Sequence, residues 1–110
     1  MDLRRLLPKW LQPVRRTPAR QRQVDAETAH MALYHSPLCG YCLGVRRSIR
    51  RLNLNIELRN VTWAEAWQDE LRREGGKGQV PCLRIRHPDR TEWLYESVAI
   101  IAFLRTRFKD

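Results

Sequence analysis

Met31-Ala32-Leu33-Tyr34 and, one short loop later, Cys39-Gly40-Tyr41-Cys42 form the stretch from which the rest of the chain is read. It is an apolar run, then two cysteines separated by two residues, then a basic segment with helical spacing. Two cysteines so spaced at a strand-to-helix junction make a redox pair the first chemistry to test. With Cys39 at the N-cap and Cys42 at the third position of the first turn, the two sulfurs approach closely enough for a disulfide. The N–H groups at that helix end have no intrahelical partners, and together with the macrodipole they favour a negative thiolate on Cys39. Cys39 is therefore expected as the nucleophile and Cys42 as the resolving thiol. A CxxC is also half of a zinc site, with Cys82, His35 and His87 as further ligands. Structural zinc takes four ligands, usually as two close pairs, and no second CxxC or HxxxH follows. Redox chemistry leads.

Length and composition narrow the class. A chain of 110 residues supports one domain with an appendage, and 43% hydrophobic with 30% charged residues is ordinary for a globular protein. The first apolar cluster is broken by Arg4, Arg5, Pro8 and Lys9, which argues against a signal peptide. No segment approaches the roughly 20 apolar residues of a membrane-spanning helix. Three cysteines, an odd number, argue against a secreted disulfide scaffold. The expected compartment is a reducing cytosol, where a CxxC is more often catalytic than structural.

The net charge of +9 is uneven: residues 1–25 hold seven basic side chains against two acids and supply +5 of it. They are read as a basic extension ahead of a domain over 26–110. Leu3, Leu6, Leu7, Trp10, Leu11 and Val14 recur at helical spacing, interrupted by Pro8 and Pro13. That stripe suits a solvated leader or contact with an anionic membrane surface. Nucleic acid is not expected, because no RNA-binding aromatic motif accompanies the charge. Residues 15–25, polar and containing Pro18, read as a linker.

Along the domain, Met31 to His35 is extended and Ser36-Pro37 disfavours helix. Gly40 to Leu52 is the first main helix, with Cys42, Val45, Ile49 and Leu52 on one face and Arg46, Arg47, Arg50 and Arg51 mostly on another, a solvated side. Ile56 to Val61 alternates as a second strand. Thr62 with Glu65 reads as a capping box for a helix from Trp63 to about Glu74, ended by Gly75-Gly76-Lys77-Gly78. Val80–Arg86 and Glu92–Tyr95 then form an antiparallel hairpin about His87-Pro88-Asp89-Arg90. Glu96 or Ser97 caps a last helix to about Phe108, with Ile100, Ile101, Leu104 and Phe108 apolar. The fold class is α/β in the order βαβαββα: a four-stranded mixed sheet flanked by helices, with helical connections between its first three strands calling for a βαβ unit with a right-handed crossover.

That order, with a CxxC after the first strand, resembles the thioredoxin fold and specifically the glutaredoxins. Tyr34 to Cys42 is similar to the family's strand, loop and active site, and Gln79-Val80-Pro81 to its Thr-Val-Pro loop. Leu94-Tyr95-Glu96-Ser97 with Ile100 to Leu104 is similar to the segment that glutathione-binding members, including glutathione transferase N-terminal domains, use for the γ-glutamyl group. The likeness spans residues 31–108. It implies a cis Pro81 opposite the CxxC, Val80 offering its backbone to glutathione, Ser97 and its N–H holding the γ-glutamyl carboxylate, and Glu96 the ammonium. Tyr41 would line the groove. Lys77, Arg72 or Arg73 would pair the glycine carboxylate, and the arginines after the CxxC would steer the anionic tripeptide. Cys82, beside Pro81, reads as a buried structural cysteine or a third thiol near the site. The chain departs from the family at Ser36, where many members have Lys, and at Gly40, where Pro is common.

The implied activity is glutathione-dependent thiol-disulfide exchange on protein disulfides or glutathionylated proteins, with Cys39 and Cys42 catalytic. The rival readings are a [2Fe-2S] carrier, in which Cys39 and glutathione would hold the cluster between two protomers, and a low-turnover binding module tethered by its basic tail.

Overall fold

In the computed structural model, which describes residues 6–8 and 12–110, strand β1 (Met31–His35) is buried along its whole length. It lies inside a mixed sheet of order β2-β1-β3-β4, parallel to β2 (Glu57–Asn60) and antiparallel to β3 (Cys82–Arg86), which pairs antiparallel with β4 (Thr91–Tyr95). Alternation of side chains sends Met31 and Leu33 to one face and Ala32 and Tyr34 to the other. The first face packs on helices α1 (Pro18–Thr28), α2 (Gly40–Arg51) and α4 (Ser97–Arg107), through Val24, Val45, Ile49, Ile100 and Leu104. Each such fully buried aliphatic side chain contributes about 1.5–3 kcal/mol relative to an exposed one. The expected sheet, element order and hairpin are all present.

The second face is covered by a short helix, α3 (Glu65–Glu70), running into a π-helical turn over Leu71–Gly75. Leu71 seals Tyr34 and Cys82 there. Glu70 accepts from Tyr34 and from Arg59, and its carboxylate lies 3.5 Å from the Arg84 guanidinium. Arg59 in turn stacks 4.2 Å over the Trp67 ring and 5.5 Å over Tyr34. Burial first, and then the bond to Glu70, push the Tyr34 hydroxyl up to about 12, although Arg59 pulls the other way. Gly75 is required by closeness: a Cβ there would stand 2.6 Å from the Tyr95 hydroxyl and 2.9 Å from the Trp93 ring.

Two local expectations are corrected. The capping box at Thr62 does not form, and α3 begins only at Glu65 with Ala64 at its N-cap. Asn60 Oδ1 accepts the N–H groups of Thr62 and Trp63, at 2.9 and 3.3 Å, and the Thr62 hydroxyl is taken by Ser36, 2.7 Å away. The linker expected over 15–25 is largely helix: Thr17 caps α1 by accepting from Arg20 N–H at 3.1 Å, and Pro18 stands at its first position, where a missing N–H costs nothing. Of the apolar stripe in the extension, Leu3, Trp10 and Leu11 lie outside the described residues. Leu6 and Leu7 are exposed, and Val14 packs against the core. Among the described residues no helix is long and apolar enough to cross a membrane.

The segment before α1 fastens helix ends. Val14 N–H donates to the Arg51 carbonyl at 2.8 Å. The Arg16 guanidinium donates to the Leu52 carbonyl at 2.8 Å and to the Phe108 carbonyl at 2.6 Å, tying the C-terminal ends of α2 and α4. Hydrogen bonds from a charged donor contribute about 1.5–3 kcal/mol each, so Arg16→Ala is expected to lower the unfolding free energy by roughly 2–3 kcal/mol in urea titration. A loss below about 0.5 kcal/mol would assign these contacts to an ordinary solvated side chain.

His35, at the end of β1, is only 6% exposed and its Nδ1 has no hydrogen-bond partner among the described residues. Burial, and then the charge of Arg46, hold its imidazole below the ordinary value. The unfolded chain thus binds a proton near pH 6.5 that the folded protein refuses. The stability this contributes is present above about pH 6.5 and is lost as the pH falls through that value toward the folded one. The urea midpoint should fall between roughly pH 7.5 and pH 5.5, and His35→Gln should remove most of that slope.

Candidate active site

The loop Ser36-Pro37-Leu38 carries β1 into α2, and its shape is set by short-range bonds. Cys39 N–H donates to the Ser36 carbonyl at 3.2 Å, Leu38 N–H to the Ser36 hydroxyl at 3.2 Å, and that hydroxyl pairs with Thr62. The result fixes Cys39 at the N-cap of α2, with extended backbone, its sulfur accepting the Cys42 N–H at 3.3 Å. A cysteine here does what Ser or Asp does at other helix starts: it satisfies an orphan donor. Cys39 is half-buried and Cys42 fully buried. Burial, and then the hydrogen bond to the Cys39 sulfur, push the Cys42 thiol up to about 12, while a backbone hydrogen bond from Ser36 and the Arg46 charge pull it down. The proton therefore stays on the inner sulfur while the outer one faces the helix N–H.

On the far side of Cys39 lies the segment leading into β3. The Val80–Pro81 peptide is cis, as the resemblance implied, and the Val80 carbonyl stands 3.9 Å from Cys39 Sγ. Beside it opens a groove of about 290 Å³ lined by Tyr41, Val80, Pro81, Glu96 and Ser97, together with Gln79 and Val98. All five candidate binding residues thus gather in one place from three separate stretches of sequence. Gln79 was named only as part of the loop with Val80 and Pro81, and Val98 was not singled out beforehand. Each is a direct neighbour of one that was, and an apolar Val in the first turn of a helix, 79% exposed, is the signal that points to a lined surface.

Glu96 has φ 74° and ψ 121°, outside the regions that suit a side-chain-bearing residue. Such a backbone costs about 1–3 kcal/mol and persists where its surroundings impose it. Glu96 is the N-cap residue of α4, yet its carboxylate makes no capping hydrogen bond, and Ser97 is the first helical residue. The first-turn N–H groups of α4 are left without a side-chain cap beside the groove, an arrangement that suits an anion.

Other candidates lie elsewhere. Lys77, Arg72 and Arg73 are not among the residues lining the groove; the Lys77 ammonium sits 5.4 Å over the Tyr95 ring. Cys82 is fully buried on the α3 face, where burial pushes its thiol up to about 12 against a hydrogen bond with Tyr95. His87 pairs with Glu92 at 3.0 Å on the β3–β4 hairpin, at the opposite end of β3 from Pro81. Among the described residues, no three or more His, Cys, Asp or Glu side chains gather as a metal site.

This geometry can be set against known proteins. A family model described as glutathione S-transferase, N-terminal domain, matches residues 33–110. Among curated proteins none matches the chain. Among solved structures, maleylacetoacetate isomerase from Anaeromyxobacter dehalogenans, with GSH bound in its active site, is 26% identical with a TM-score of 0.58, over 73% of this chain and 38% of that one. Human glutathione-S-transferase T1-1, in apo form, is 28% identical with a TM-score of 0.58, over 72% of this chain and 32% of that one. Glutathione transferase Omega 2C from Trametes versicolor shares the fold at 16% identity, with a TM-score of 0.60, over 73% of this chain and 38% of that one. The chain thus spans 32–38% of the length of these three proteins. The matched stretch carries residues 33–35 of β1, the CxxC, the cis-Pro81 segment and the start of α4 alike, and the chain belongs to the glutathione S-transferase N-terminal domain family, with its thioredoxin-like fold.

Proposed function

We propose that the chain is a glutathione-dependent thiol-disulfide oxidoreductase of glutaredoxin type. One observation carries the reading: a half-exposed cysteine sulfur capping a helix, a second thiol one turn beneath it, and a peptide-sized groove alongside. Transferase chemistry needs the groove and one activating group, but it has no use for the inner thiol. Cys39 thiolate attacks a disulfide or a glutathionylated protein, forming a new S–S bond as the old one breaks and a thiolate leaves. With a glutathionylated substrate, glutathione then attacks the glutathione sulfur of the Cys39 mixed disulfide, forming glutathione disulfide as Cys39 thiolate leaves. With a protein disulfide, Cys42 attacks the Cys39 sulfur, releasing the protein thiolate as the Cys39–Cys42 bond closes, and two glutathiones then reduce that bond.

In this reading glutathione lies along the groove with its γ-glutamyl carboxylate at Ser97 and the first-turn N–H groups of α4. Its ammonium meets the uncapped Glu96 carboxylate, and its backbone runs past Val80. Tyr41 supplies an apolar wall. A second reading is favoured by the neighbours being transferases and an isomerase: Cys39 would then activate the glutathione sulfur without forming a disulfide.

The two readings separate in a glutathione-coupled assay on a glutathionylated substrate. Cys39→Ser is expected to abolish turnover, while Cys42→Ser keeps the one-thiol route to within about threefold of wild type. Wild type that conjugates an electrophile to glutathione, yet never yields a mixed disulfide at Cys39, would support the second reading instead. For the groove, Glu96→Gly is expected to raise stability by about 1 kcal/mol through relief of the backbone while raising the KM for glutathione. An unchanged KM would remove Glu96 from the binding role.

A further inference from the structure

Four arginines follow the CxxC on α2, and one of them differs from the others. Arg47, Arg50 and Arg51 are exposed, whereas Arg46 is half-buried, and its Nε is buried without a hydrogen-bond partner among the described residues. Arg46 stands four residues after Cys42, so the two share a helix face. Helical side chains lean back toward the N-terminus, over the turn that precedes their own Cα. The guanidinium is therefore carried toward Cys42 and the end of β1, and its charge registers at both Cys42 and His35.

We propose that Arg46 is a positioning residue for the resolving step: its guanidinium holds the negative charge that develops on the Cys42 sulfur as that sulfur attacks a mixed disulfide at Cys39. The inference rests on the oxidoreductase reading above. A buried N–H with no acceptor is costly, and a thiolate on Cys42 would bring a negative charge to the same helix face. Burial and the neighbouring Cys39 act against ionisation of that sulfur; a backbone hydrogen bond from Ser36 favours it more strongly than Arg46 does in the resting protein, and Arg46 is the one side-chain charge that favours it. From α4, the uncharged Ile101 reaches Gly44, its Cδ1 3.9 Å from where a Cβ on that glycine would stand. His35, held neutral by burial and by Arg46 itself, adds no second cation.

With glutathione disulfide as oxidant the steps balance. Cys39 thiolate displaces one glutathione thiolate and forms the mixed disulfide. Cys42, losing its proton to solvent, then displaces the second, closing the Cys39–Cys42 bond. Two protein thiols are oxidised and one glutathione disulfide becomes two glutathiones. Loss of the cation should raise the Cys42 thiol; each unit lowers its thiolate fraction about tenfold and raises its nucleophilicity about threefold, a net slowing of roughly threefold per unit.

The test mixes reduced full-length protein with glutathione disulfide and follows the mixed disulfide by acid quench and intact mass. Its formation is read in a Cys42→Ser background and its decay with Cys42 present. Arg46→Gln is expected to slow decay at least about threefold more than formation, and Arg46→Lys, which keeps a charge on the same stem, to restore most of the rate. Decay that ignores residue 46, or formation and decay slowed by the same factor, overturns the inference while leaving the oxidoreductase reading intact. No mixed disulfide in the Cys42→Ser protein would remove that reading and this inference together.

Discussion

Burial of β1 on both faces is the constraint from which the rest of the architecture follows. A strand reading Met-Ala-Leu-Tyr-His has no polar side to give to water, so it must be paired on both edges and covered above and below. Helices α1, α2 and α4 cover one face, and α3 with its π turn covers the other. Once β1 is central, the helix that follows it starts at the end of the sheet where β1 finishes, beside the segment entering β3 and the start of α4. Two helix N-termini and a cis-proline segment then converge on one end of the sheet. Such a meeting of unpaired N–H groups with the ends of strands is where open α/β sheets place ligands. The groove is a consequence of the topology before it is a property of any side chain.

What could be read beforehand was what depends on neighbours in sequence. The strand over 31–35, the Cys39 cap and the hairpin about residues 87–90 are short-range patterns, and they are in place, as is the cis Pro81 that the family resemblance implied. The groove residues were named because three motifs occur in the right order, each supplying one wall. What escaped depends on contacts distant in sequence. Thr62 has the spacing of a helix cap, but Ser36, 26 residues earlier, takes its hydroxyl. Helix α1 carries Arg, Gln and Glu on nearly every turn and buries only Val24 and Thr28, so no apolar period betrays it, and its Pro18 reads as a breaker when it is a starter. Arg46 was grouped with three exposed neighbours because periodicity separates faces of a helix only coarsely.

The α3 face shows how polar groups can replace an apolar seal. Six residues of α-helix and one π turn are too little to bury a sheet face by area alone. Glu70 reaches down to Tyr34 and to arginines from two strands, and Arg59 lies between aromatic rings. A buried network of this kind stabilises only when its members are paired, and it specifies one placement of the helix in doing so. The Arg84 Nε, buried without a partner among the described residues, marks where that pairing is incomplete.

The knot tied by Arg16 also decides from which pole of the molecule anything attached to the chain would hang. Helix α2 carries the polypeptide about 18 Å from the reactive sulfur to its last turn, and α4 runs the same way. Arg16 joins those two far ends, and Arg20 meets Asp110 beside them, the side chains lying 3.7 Å apart. Cargo, surface or fusion partner joined at either side of that knot would be held on the antipode of the thiol. Docking at one pole and exchange at the other would then proceed without blocking each other.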